Sequence, residues 1–266
     1  ILFGTIEFIR GSALTGFPWN LIVFSFSDSV YFIQILSVIG TYSLNLFCIS
    51  LFTIPALFIL RNSRKEIIVC FFFILVSFAL LIFGNIKNNN FNSLEAKKNS
   101  YTIKAISPNI SLDRFFSKKD ELKIINELIA LSTPEKKEPT IFLWPEGIIS
   151  NSHLEDMVKY KDLFLNNFGN DDLIIMGLNS TEVRDGENLF FNSMAIFNNK
   201  LELIQSYNKV NLVPFGEFIP FENILSLIGF KTITNEYQSF SSGNIRMPLN
   251  IKSNKIDLNL LPLICY

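Results

Sequence analysis

Four side chains in the C-terminal half of this sequence could do covalent chemistry. Glu146 closes the run Leu143-Trp144-Pro145-Glu146, Lys209 and Glu217 share the segment Tyr207 to Glu217, and Cys265 closes Leu263-Ile264-Cys265. A thiol attacks a carbonyl only as its thiolate, so it needs a base, and the tetrahedral intermediate it forms needs a donor for its oxyanion. A carboxylate, an ammonium and a thiol supply those three parts. Together they point to acyl transfer or amide cleavage through a thioester, on a greasy substrate given the apolar, Phe-rich loops around Lys209 and from Ile219 to Phe230.

Each residue also has a plainer reading. Glu146 follows Thr140–Trp144, a short β-rich run that Pro145 ends and Gly147 allows to turn, so its carboxylate projects from the C-terminal end of a strand, where α/β folds place their sites. It could equally be a solvated turn residue. Trp144 beside it is expected to line the substrate site. In Val210 to Pro220 the only charge is Glu217, so Lys209 and Glu217 form either a salt bridge at a loop edge or an oxyanion donor held by a second carboxylate. Cys265 is either an inert core thiol or the nucleophile, in which case the backbone N–H of Tyr266 could be a second oxyanion donor. The catalytic reading is favoured because the thiol, the carboxylate and the ammonium each end an apolar run. The only histidine, His153, is read as a surface residue before a helix, and metal sites built on two or more histidines are excluded.

The elements that would position these groups alternate between strand and helix patterns. Tyr101–Ser107 alternates as a strand. Lys119–Leu131 carries Leu122, Ile125, Leu128 and Ile129 on one helix face. Leu154–Phe168 reads as a helix and Leu173–Leu178 as a buried strand; Phe190–Phe197 and Leu201–Tyr207 pair around Asn198-Asn199-Lys200, and Ile256–Ile264 is the last strand. The expectation is a layered α/β domain over 101–266.

The first third is different. Of the 266 residues, 49% are hydrophobic and 28 are Phe. No charge occurs from Ser29 to Leu60, about 32 residues, or from Ile67 to Ile86, about 20, and about 20 apolar residues cross a bilayer. Two membrane spans are expected within 30–86, with a turn near 61–66. Arg61, Arg64 and Lys65 in that turn make it cytoplasmic by the positive-inside rule, which puts everything after Ile86 on the opposite side. Residues 1–29 read as the end of a span and an interfacial segment broken by Gly11, Gly16 and Pro18, with Trp19 at the membrane surface; 87–100 reads as a linker. Net charge is −1 with no basic stripe, which argues against nucleic acid. Three cysteines, two of them in the spans, are no disulfide framework. The chain opens at Ile1 inside an apolar stretch and stops one residue past Cys265, and it is expected to be a fragment, inactive by itself.

The order Trp-Pro-Glu, then Tyr-x-Lys-x-x-Leu-Val-Pro-Phe-Gly-Glu, then Ile-Cys-Tyr resembles the Glu-Lys-Cys triad of the nitrilase superfamily. Preceded by Glu7-Phe8-Ile9-Arg10-Gly11, by Leu14-Thr15-Gly16-Phe17-Pro18-Trp19 and by membrane spans, it resembles the bacterial apolipoprotein N-acyltransferase family. That resemblance implies a nitrilase-like α-β-β-α sandwich, here incomplete, attached to a helical transmembrane domain. It implies an inner-membrane enzyme with its catalytic domain in the periplasm and no cofactor. The acyl donor would be a phospholipid and the acceptor the α-amino group of a diacylglyceryl-modified apolipoprotein. Position by position, Cys265 would be the nucleophile, Glu146 the general base, Lys209 the oxyanion stabiliser and Glu217 an essential second carboxylate. Gly16 and Trp19 match the family's segment near the lipid entry, and Phe116 stands where the family has a gating Trp. Two alternatives remain: a membrane-tethered amidase, and an inactive membrane scaffold.

Overall fold

The structure, a computed structural model, describes residues 1–16, 18–61, 63–94, 101–109, 121–149, 153–221, 224, 239–253 and 255–265. The chain divides into two compact units, Ile1–Lys97 and Lys98–Tyr266.

The first unit is helical: α1 (Leu2–Ser12), α2 (Val30–Ile33), α3 (Leu36–Ile39), α4 (Thr41–Ile59) and α5 (Arg64–Asn92). The expected first span is broken. Gly40, at φ 76°, stops α3, so a continuous apolar helix begins only at Thr41. Ser63 and Glu66 form a reciprocal capping box that starts α5, and the helix runs past Ile86 to Asn92, into the stretch expected to be a linker. By length and composition α4 and α5 can cross a membrane. Only 17% and 11% of their apolar windows are buried, whereas the core helix of a soluble protein would be mostly covered. In the same unit Asn45, 1% exposed, accepts a hydrogen bond from the Val23 backbone N–H at 3.0 Å, satisfying a donor that would otherwise be stranded among apolar side chains.

The second unit is built on a five-stranded sheet in the order β1 (Thr102–Ala105), β2 (Thr140–Leu143), β3 (Leu173–Arg184), β4 (Glu187–Asn198), β5 (Leu203–Asn208). The first three strands are parallel and the last two antiparallel. β2 and the first half of β3 are buried on both faces, as parallel strands covered on each side must be. One cover is helical. α6 (Glu121–Ser132) buries Ile124, Ile125, Leu128 and Ile129, and α7 (Lys161–Asn167), entered through the 3-10 turn Leu154–Tyr160, adds Phe164. Leu122, expected on the buried face, is exposed, and Ile124 takes its place. The other cover is an antiparallel pair, β6 (Leu249–Lys252) and β7 (Asp257–Leu260). Ile251, Ile256 and Ile264 pack with Ile141, Leu173, Ile175 and Ile196 of the large sheet. The described residues thus form a mixed α/β unit with one helical layer and two strand layers.

Two strands run longer than expected. β3 continues through Asn179, Ser180, Thr181 and Glu182, where the polar residues hide the strand, and turns back at Asp185-Gly186. Both turn residues have positive φ, 53° and 84°, the two-residue turn whose twist matches a hairpin.

Candidate active site

Lys209 follows β5 directly, and its N–H donates to the Asn192 carbonyl at 2.8 Å, extending the β4–β5 ladder by one rung. Lys209 is 3% exposed, and its ammonium lies 2.9 Å from each oxygen of Glu217, itself 6% exposed. The salt bridge expected in the plainer reading therefore exists, but it is buried. The turn Val213–Phe218 holds Glu217 inward: the Val213 N–H donates to its Oε2 at 2.8 Å, and its own N–H donates to the Val213 carbonyl at 2.8 Å.

Glu146 approaches the same ammonium, with Oε1 3.6 Å from Nζ, and keeps 39% of its side chain exposed. The Trp144 N–H donates to the Ile175 carbonyl at 2.8 Å, which carries β2 one residue past Leu143, and Gly147 at φ 60° turns the chain away. This turn packs on Gly177, where any Cβ would lie 2.6 Å from the Glu146 Cα, so β3 needs glycine there.

Between the carboxylates stands a residue the sequence reading missed. Asn192 donates through Nδ2 to Glu146 Oε1 at 2.6 Å and to Glu217 Oε1 at 2.7 Å. The site thus holds two carboxylates, one ammonium and one amide that fixes an oxygen of each acid. Nothing in the local sequence Phe191-Asn192-Ser193 marks it; only the β4 register places it here.

Cys265 follows β7 at φ 61°, a left-handed conformation, and its thiol is exposed. It lines a cleft of about 270 Å³ together with Glu146, Gly177 and the apolar Leu143, Ile175 and Met194. The carboxylate and the thiol therefore share one cavity whose walls are largely apolar.

Trp144 contributes to that wall but is 5% exposed and belongs to the helix-side core. Its indole N–H donates to the Ser132 hydroxyl at 3.0 Å, so its polar atom serves packing. Gly16 and Trp19 belong to the first unit. Gly16, at φ 88°, packs on the Gly11 carbonyl; Trp19 is exposed, and its carbonyl accepts from Arg10 at 2.7 Å, which also pairs with buried Glu7 at 3.1 Å. Phe116 and Tyr266 lie outside the described residues. His153 is half-buried, with Nδ1 3.0 Å from the Thr181 hydroxyl. Among the described residues no cluster of three or more His, Cys, Asp or Glu side chains could hold a metal.

These features define a mixed α/β domain that gathers Glu146 after β2, Lys209 after β5 and Glu217 in the following turn, preceded in the chain by apolar helices long enough to cross a membrane. Comparison with known proteins finds similarity to apolipoprotein N-acyltransferases. Residues 1–54 match the model of the apolipoprotein N-acyltransferase N-terminal domain. The chain is 27% identical over 274 residues to the apolipoprotein N-acyltransferase of Rhodopseudomonas palustris, covering 98% of this chain and 50% of that protein. It is 28% identical over 275 residues to that of Rhizobium rhizogenes, covering 99% and 50%, and 27% identical over 270 residues to that of Rickettsia prowazekii, covering 100% and 52%. The chain spans about half the length of the curated relatives it matches. Among solved structures, an amidase of the nitrilase superfamily from Nesterenkonia AN1 aligns with a TM-score of 0.33 at 16% identity, over 53% of this chain and 48% of that one. The family that the motifs resemble is thus the one to which the chain is similar along nearly its whole length.

Proposed function

We propose that this chain carries the acyl-transfer centre of an apolipoprotein N-acyltransferase. Cys265 attacks the ester carbonyl of a phospholipid and Glu146 takes the thiol proton. Lys209, with the Tyr266 N–H as a second donor, stabilises the oxyanion; the C–O bond breaks and lysophospholipid leaves with the proton returned by Glu146. The α-amino group of a diacylglyceryl-cysteine then attacks the thioester, forming the amide and releasing the thiol. Glu217 holds Lys209 in place, and Asn192 aims Glu146.

The observation that carries this reading is a buried Lys209, 3% exposed, whose ammonium is clamped by Glu217 and lies close to a Glu146 that opens into the same cleft as Cys265. A salt bridge serving only stability gains little from burial, and it would not need a second acid lining the same cleft as a thiol. We assign the unit Lys98–Tyr266 to a nitrilase-like sandwich on the periplasmic side of the inner membrane, with α4 and α5 as spans joined on the cytoplasmic side at Arg61, Arg64 and Lys65.

The test is to incubate the full-length parent protein, purified in detergent, with phospholipid but no acceptor, and to look by mass spectrometry for a hydroxylamine-labile acyl adduct on Cys265. The expected adduct disappears when a diacylglyceryl-peptide is added and appears on the peptide's amine. No adduct in a folded protein would overturn the proposal, and an adduct cleared by water at the same rate with or without peptide would favour the amidase.

A further inference from the structure

We propose that Met194 determines which acyl chains reach Cys265. This rests on the acyl-transfer reading above and adds a specificity residue to it. Alternate residues of a strand share one face, so the face of the large sheet turned toward β6 and β7 can be read row by row from the register. One row is Leu143, Ile175 and Ile196, with Ile175 and Ile196 at 5% and 0% exposure: a closed apolar wall. Two residues along lies Gly177, Met194 and Tyr207. Two further on lie Asn179, Asn192 and, by the added rung, Lys209, the polar row of the site.

Met194 therefore stands between the charged groups and the closed wall. Its neighbour Gly177 has no side chain and can carry none, because of Glu146. Tyr207 on the other side is 6% exposed and fixed in the core. Of the three residues in its row, Met194 is the one with a long unbranched side chain that is only half-buried, and it faces the cleft shared with Cys265. A methionine there can fold aside for a straight chain and fill the space when none is bound. A cleft of about 270 Å³ is on the order of ten methylene volumes, taking each as comparable to one water. It thus suits the near end of an alkyl chain, and Met194 sets how far and how wide that chain may run.

The experiment reads the cleft without requiring turnover. Alkyl methanethiosulfonates with methyl, butyl, octyl and dodecyl chains are reacted with the protein in detergent. The Cys265 thiolate forms a disulfide to the alkylthio sulfur, methanesulfinate leaves with the electron pair, and the thiol proton goes to base. Adducts on Cys265 are quantified by peptide mass, which separates them from Cys48 and Cys70. The rate ratio of octyl to methyl is compared among wild type, Met194→Ala and Met194→Trp, so that partition into micelles cancels.

In wild type the ratio is expected to rise by up to about 4-fold per methylene seated. Met194→Trp is expected to lower the octyl-to-methyl ratio at least 10-fold, and Met194→Ala to raise the dodecyl-to-octyl ratio. Equal ratios in all three proteins would overturn the proposal, as would a wild type indifferent to chain length. If Met194→Trp loses both reagents alike, the Met194→Ala ratio decides in the same way. The underlying reading is checked separately by Glu146→Gln with the methyl reagent: loss of the rate contributed by the base bears on acyl transfer and not on Met194.

Discussion

Replacing Asn192 by Ala removes two hydrogen bonds, at 2.6 and 2.7 Å, to two carboxylates that share one ammonium. A hydrogen bond to a charged group contributes about 1.5–3 kcal/mol. The bond to Glu217 counts nearly in full because both partners are more than nine-tenths buried, while the bond to Glu146 is discounted because 39% of that side chain meets water. The expected loss is therefore about 2–4 kcal/mol in the stability of the second unit. Asn192→Asp should be worse near neutral pH. It sets a third carboxyl within 2.7 Å of the other two, where two negative charges repel by about 6 kcal/mol at an effective dielectric of about 20. The introduced carboxyl would hold its proton more tightly in the folded state than in the unfolded one. The variant's stability should thus recover as pH falls and be lost as pH rises. The assay is urea unfolding in detergent followed by the emission of Trp144, 5% exposed and inside the helix-side core, in a Trp19→Phe background so that one indole reports. A loss below about 1 kcal/mol for Asn192→Ala, or an Asn192→Asp variant whose deficit does not shrink on acidification, would refute the claim that Asn192 bridges two ionised acids.

Lys209→Met leaves Glu146 and Glu217 without their cation; breaking a buried pair on one side costs about 3–5 kcal/mol, measurable by the same unfolding assay, and acyl-adduct formation at Cys265 should fall below detection. Gly177→Ala puts a methyl 2.6 Å from the Glu146 Cα; overpacking of this kind costs about 1–3 kcal/mol, and displacement of the Glu146 turn should slow methyl methanethiosulfonate labelling of Cys265 more than it lowers stability. Burial pushes the Asp172 carboxyl above its ordinary value of 3.8, against the opposing hydrogen bonds from the Gly169 and Thr140 N–H groups. The folded protein then binds the proton more tightly than the unfolded one, so stability from this group is full below pH 3.8 and declines as pH rises through the raised folded value. That decline should be absent from Asp172→Asn in denaturant midpoints collected from pH 3 to 6, and an identical slope in both proteins would contradict it.

Much of this architecture is legible in the sequence because burial writes periodicity. The β2 run Thr140–Leu143, the core of β3 and, apart from Leu122 and Ile124, the buried face of α6 follow from apolar spacing. What periodicity cannot show is a strand that outruns the apolar core. From Asn179 to Glu182 and at Glu187 and Asn188, β3 and β4 carry polar residues, and the hairpin is held by its ladder and by the Asp185-Gly186 turn. Asn192 was missed for the same reason, since an amide acquires its role only from the strand register that sets it between two acids. Trp144 does both: an aromatic beside a candidate base reads as substrate contact, and it lines the cleft, while its indole N–H is used on Ser132 in the core.

The site residues share a local feature that only glycine could have announced. Gly147 at φ 60°, Phe215 at φ 62° and Cys265 at φ 61° are left-handed, the first beside Glu146, the second two residues before Glu217, the third the thiol itself. For a residue with a Cβ this conformation costs about 1–2 kcal/mol, so the surrounding structure must over-determine it. At Phe215 it does. The Phe215 N–H donates to the Phe218 carbonyl at 2.7 Å, and the Glu217 N–H and carboxylate both bond within the turn. The strain is set against contacts that aim the carboxylate at Lys209. At Cys265 the compensating element is the packing of Ile264 into the core between the strand layers, one residue before the turn. A chain that continued β7 in extended form through Cys265 would place neighbouring side chains on alternate faces. The left-handed turn frees the thiol from that alternation, so that Ile264 fills the core while Cys265 lines the cleft with Glu146.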